Sequence, residues 1–178
     1  MHMHARGPAA IPEGHPLRHL FRQLTETSFE QVGMPDAELM TYITGLLVDF
    51  THTDNLYRVR DAQGRRLKYL FELQLESQRG DKAHARETQK HLGDYALFMV
   101  GMFPESLQRP RRTMSPGYYV AQGRQAYTTV SEIDSPRPSA ALFRKLAAHF
   151  ETCVSALNVE KEFLQDEFYQ YLMRQIMA

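Results

Sequence analysis

Apolar positions recur at helical spacing along most of this chain. In residues 16–32, Leu17, Leu20, Phe21 and Leu24 share one face, and Gly33 supplies a stop. Asp36 is placed to cap a second helix, in which Leu39, Met40, Ile43, Leu46, Leu47 and Phe50 keep the 3.6-residue period. A central helix is predicted over residues 81–103. Residues 95–103 carry no charge, which marks a helix buried on every side, and Pro104 ends it. Followed backwards from Met102, one stripe runs through Phe98, Asp94, His91 and Glu87. Three ionisable groups therefore lie on a track that continues as core. Burial of such groups is costly unless they pair, hydrogen-bond or hold a metal.

Between the second and central helices two periods compete. Tyr57 and Val59, a turn at residues 61–64, and the alternation Tyr69, Phe71, Leu73, Leu75 make a β-hairpin. Leu67, Leu70, Phe71 and Gln74 or Leu75 fit a helix equally well, and periodicity alone does not decide. Further on, Ser115 caps and Pro116 opens a helix carrying Tyr119, Val120, Tyr127 and Val130 on one side. Gly123 on that side invites the close approach of another helix. From Ser139 onward Gly and Pro are absent, and Leu142, Leu146, Phe150, Cys153 and Leu157 form a stripe continued by Leu164, Phe168 and Tyr171. Unbroken, that helix would span on the order of 57 Å, against a radius of gyration of about 16 Å for a domain of this length. Either it breaks near Asn158 and docks, or its apolar C-terminal half projects as an association surface.

Composition narrows the class without naming an activity. The 178 residues suit one domain, and acidic and basic residues balance at 21 each, so no global field recruits nucleic acid or an anionic membrane. The single cysteine, Cys153, allows no intrachain disulfide, and a cytoplasmic location is expected. No signal peptide opens the chain, and no apolar run approaches the roughly 20 residues of a membrane helix.

Five phrases taken together carry a resemblance: LVDFTHTDNLY (47–57), RDAQGRRL (60–67), HLGDYALFMVGMFPE (91–105), YVAQGRQAY (119–127) and residues 142–157. They resemble a family of uncharacterised bacterial proteins of similar length, whose central phrase is similar to H-I-G-D-F-x-L-F-W-x-G-x-Y-P-E. The likeness covers residues 39–157. It implies a helical protein, helical also after Arg66, and it implies no activity. This chain has Met99 where the family phrase has Trp, and it extends beyond Val159, so an oligomeric state does not carry over.

Several chemistries compete with structural readings of the same residues. Glu87, His91 and Asp94 stand at i, i+4 and i+7 on one helix face and, with Glu72, would make a site for iron, manganese or zinc. The spacing is Glu-x-x-x-His without a second copy, so the bland alternative is a polar clamp, with His91 bridging a neighbouring carboxylate to a buried tyrosine or arginine. Under the hairpin reading, Asp54, Glu72 and Gln74 imitate a nuclease cation site without its lysine. Tyr118, Tyr119 and Tyr127, near Arg111, Arg112 and Arg124, offer a stacking surface for single-stranded nucleic acid, or simply pack a helix. Cys153 lies on an apolar stripe, four residues from His149, and reads as core rather than nucleophile.

The resulting expectation is an all-α, single-domain bundle of about six or seven helices. A short hairpin near 56–75 stays open. Residues 1–15 form a flexible tail, 16–158 the bundle and 159–178 a helical arm. The expected role is a non-enzymatic binding or scaffold module without cofactor, self-associating through the arm or joining a protein partner. The alternative is a metal-binding protein or metal-dependent oxidoreductase using Glu87, His91 and Asp94, with Glu72. Neither a membrane nor a nucleic-acid partner is expected.

Overall fold

The computed structural model describes residues 16–107 and 115–164. They form α1 (Pro16–Gln31), α2 (Ala37–Phe50), α3 (Thr53–Leu56), α4 (Leu70–Glu76), α5 (Lys82–Met102), α6 (Pro104–Leu107), α7 (Pro116–Asp134), α8 (Ser139–Ala148) and α9 (Phe150–Phe163). Seven of these exceed one turn and no strand occurs among the described residues, so the chain is an all-α single domain. The expected tail, the loop arginines Arg111 and Arg112, and most of the C-terminal arm lie outside the described residues.

α5 runs through the centre. The Asp81 carboxylate caps it, accepting from the His84 N–H at 2.9 Å, and every residue from 91 to 100 is buried. α7 and α9 pack along it, with α4 and α2 on further sides; α1 rests on α2 and α9, and α8 on α7. Missing side chains set the closest approaches. A Cβ on Gly123 would come within 2.6 Å of Cε2 of Phe150 and 3.2 Å of Ala96 Cβ; one on Gly93 would meet the Tyr127 ring at 2.6 Å. Such contacts seat whole aromatic rings in the core, each contributing about 1.5–3 kcal/mol by leaving water.

Most predicted caps are present. Asp36 accepts from the Leu39 N–H at 3.0 Å, Ser115 caps α7 ahead of Pro116, and Gly33 ends the first helical segment with φ +80°. α1 departs from expectation. Leu20 is 43% exposed, and the buried face is Phe21, Thr25, Ser28 and Phe29. Its core stripe thus includes hydroxyls that an apolar count passes over.

One open alternative is decided and one expectation is corrected. Residues 57–67 make a turn, not a hairpin of strands. A lone bridge joins Arg60 to Arg66, Gly64 takes φ +77°, and the Asp61 carboxylate accepts from the Gln63 and Arg65 N–H groups at 2.9 Å each. The helical period then wins at α4. Leu70 and Leu73 go inward, leaving Tyr69, Phe71 and Leu75 55%, 47% and 54% exposed. The long C-terminal helix breaks at His149, not near Asn158, and α9 continues through Asn158 to Phe163. The bend brings both Phe143 and Phe150 to 5.9 Å from the Tyr127 ring, a convergence that one straight helix would spread over two turns.

Candidate functional site

On α5 the three candidate side chains have different fates. Asp94 is buried, and its carboxylate is fully engaged. Oδ1 accepts from the Tyr42 hydroxyl at 2.5 Å and the Tyr127 hydroxyl at 2.7 Å, and Oδ2 accepts from Lys90 Nζ at 3.0 Å. One carboxylate thereby ties α2, α5 and α7 together. Burial, with the Asp94 charge alongside, pushes both phenols well above their ordinary value, so they remain donors.

Glu87 is not part of this arrangement. Its side chain is 67% exposed and pairs with Arg86 at 2.6 Å. The expectation that all three ionisable groups are withdrawn from water thus holds for His91 and Asp94 and is corrected for Glu87. Following one stripe misleads here because the uncharged run begins only at Tyr95, and α5 emerges into solvent a turn before His91.

His91 is 3% exposed but stands outside the clamp. Burial, reinforced by Arg58 and Lys90 against the opposing pull of Asp94, pushes its imidazole down to about 4. The ring takes up a backbone contact at Leu56 and lies edge-on to Phe50 at 6.0 Å. Its Nε2 is buried without a hydrogen-bond partner among the described residues. The role assigned to His91 as a bridge to tyrosine therefore belongs to Asp94.

Glu72 is half-buried in the first turn of α4. α4 is tied to α5 by Gln89, which donates to Gln74 Oε1 at 3.1 Å and Ser77 Oγ at 2.9 Å, and by His84, whose ring meets the Glu76 carbonyl at 3.2 Å. Among the described residues no group of three or more His, Cys, Asp or Glu side chains is placed to hold a metal ion. The nuclease set is dispersed as well: Glu72 and Gln74 are helical, and Asp54 pairs with Arg66 at 3.7 Å. Tyr119 and Tyr127 are buried, so the three tyrosines do not form a stacking surface. Cys153 is buried, and burial pushes its thiol up to about 12, an inert form.

The clamp borders a cleft with two lobes that share Lys90 and Asp94 as their common wall. The first, about 280 Å³, lies between α1, α2 and the α3 turn, with Arg18, Tyr42, Gly45, Asp49 and Asn55 among its walls. Nothing stands within 4 Å of where a Gly45 Cβ would project. The second, about 450 Å³, lies between α5 and the turn after α3, lined by Arg58, Arg60, His84, Thr88 and His91. Arg58 spans the two by pairing with Asp49.

A second clamp escaped the sequence reading. Arg86 grips Asp134 with two bonds of 2.9 Å, Nε to Oδ1 and Nη2 to Oδ2, and Ser139 Oγ adds a third at 2.8 Å. This joins α5, α7 and α8, and the Arg86 guanidinium holds the Asp134 carboxyl down at about 2. The only signal in the sequence was an aspartate at a helix end before a proline connector, which ordinarily means a turn. Compared with family models, with curated proteins and with solved structures, the chain matches none.

Proposed function

We propose that this chain is a non-catalytic helical binding module whose working surface is the two-lobed cleft beside the Asp94 clamp. The observation that carries the reading is the division of labour on α5. Both oxygens of Asp94 are engaged, by Tyr42 and Tyr127 from two other helices and by Lys90 on its own, while the adjacent walls stay open and polar. A cleft of 280 and 450 Å³ lobes has the size of small-molecule sites. The groups best suited to chemistry elsewhere are tied up: Cys153 is a buried thiol, and Glu160 is buried against Thr25.

Self-association through the C-terminal helix belongs to the same proposal. Its support is Phe163, 47% exposed in the last described turn of α9. Light scattering on the full chain and on a form truncated after Leu164 checks it: the truncated form is expected at a smaller multiple of its own mass.

Equilibrium dialysis of the full chain against pooled small metabolites, read by mass spectrometry, tests the cleft. The expected result is enrichment of a compound with unchanged mass, abolished by Gly45→Leu, which fills the first lobe. Conversion to a new mass would overturn the non-catalytic reading, and absence of enrichment would overturn the cleft. The competing metal reading draws on the unmet Nε2 of His91 but requires Asp94 to give up its three donors. Near-stoichiometric iron, manganese or zinc in protein purified without a tag would establish it.

A further inference from the structure

The second lobe is lined both by a buried histidine with an unmet ring nitrogen and by an uncompensated cation. His91, 3% exposed, forms part of the lining, and its Nε2 meets no partner among the described residues. Leaving a buried polar atom unbonded costs about 1–3 kcal/mol, and native structures rarely tolerate it without a reason. At the mouth stands Arg60, whose guanidinium donates to the Gly64 carbonyl at 3.0 Å and forms no ion pair with a carboxylate among the described residues. Lys90 and Asp94 on the shared wall neutralise each other, Arg58 is matched by Asp49 across the cleft, and Glu87 at the rim is matched by Arg86, whose other partner Asp134 is also paired with Arg137. The charge left over in the lobe is the positive charge of Arg60.

We infer that this lobe binds a small organic oxyanion, a carboxylate or a phosphate ester, with its charged group against Arg60 and a hydrogen-bonding group reaching Nε2 of His91. Arginine suits the first task because its planar fork presents paired donors to such groups. The second contact satisfies the atom that the folded chain leaves bare. A volume of 450 Å³ accommodates more than an inorganic ion, so a molecule spanning from mouth to floor fits the space.

The inference rests on the cleft being the binding surface, and the test separates the two. The full chain, with its histidine rings isotopically labelled, is titrated in separate arms with citrate and with inorganic phosphate at matched ionic strength. The His91 Hε1 resonance is followed by NMR. Saturable movement in the citrate arm, the phosphate arm or both supports an oxyanion site, and the arm that responds at lower concentration identifies the preferred group. Arg60→Gln, at an exposed position, is expected to weaken binding about tenfold with an unchanged melting temperature. If neither anion moves His91 beyond a chloride control, the oxyanion inference falls. The cleft reading survives that result if the metabolite dialysis still enriches a neutral compound. Binding that maps away from His91 and ignores Arg60→Gln overturns the oxyanion inference, and binding that maps outside both lobes overturns the cleft reading as well.

Discussion

At the scale of single residues, one carboxylate does the joining and a few absent side chains set the spacing. Asp94 accepts from two phenols and an ammonium, so removal of either phenol leaves the charge partly unmet in a largely buried place. Tyr127→Phe is expected to cost about 1.5–3 kcal/mol in urea unfolding, the range for a hydrogen bond to a charged group. Two glycines should respond in opposite directions. Gly123→Ala forces a methyl against Phe150 and Ala96 and is expected to cost about 1–3 kcal/mol. Gly45→Ala projects into open space inside a helix and is expected to gain about 0.5–1 kcal/mol. Thermal melts of the two variants, compared with the parent, check both signs. Gly123 was legible beforehand because it interrupts a stripe of large residues. The central part of Asp94 was half legible: its burial followed from the uncharged run, but which donors would reach it depends on helices 52 and 33 residues away in sequence.

At the scale of elements, α9 is held to α1 by an unusual pair. Glu160 is wholly buried, and Thr25 Oγ1 donates within 3.0 and 3.1 Å of its two oxygens. Burial pushes this acid up to about 8, with the Thr25 bond pulling only partly back. The folded chain therefore holds a proton that the unfolded chain has released, and this contribution to stability falls as pH rises from about 4.5 to about 8. His91 acts with the opposite sign: its folded value of about 4 lies below the ordinary 6.5, so its contribution is lost as pH falls through that window. The two tendencies oppose each other between about 4.5 and 6.5, and Glu160 alone operates from there to about 8. Urea midpoints measured across this range are expected to decline above pH 6.5, and Glu160→Gln is expected to abolish that decline. Periodicity placed α2, α5 and α7 well because a buried face and a cap agree there. It failed at Glu160 because an acid at a core position reads as solvated surface, and at α4 because seven residues satisfy both periods.

Taken as a whole, the molecule is a central helix wrapped by others, fastened by two polar clamps at different heights. Asp94 joins α2, α5 and α7, and Asp134 joins α5, α7 and α8. The all-α class was readable from spacing and caps, and no described helix is long and apolar enough to cross a membrane. The cleft was not readable. Its walls come from α1, α2, the turn after α3 and α5, and only tertiary packing brings Arg18, Asp49, Arg60 and His91 near one another.

The glycine contacts at Gly93, Gly101 and Gly123 set the helix spacings by backbone against ring or branch rather than by side chains facing the cleft. The glycine spacers and the lining are thus separate sets of residues, while Tyr42, Lys90 and Asp94 belong to frame and lining alike. A designer could recut the lining at Gly45, Arg60 or Thr88 for a different guest while the architecture stays as it is, and descent with modification could retune it by the same route.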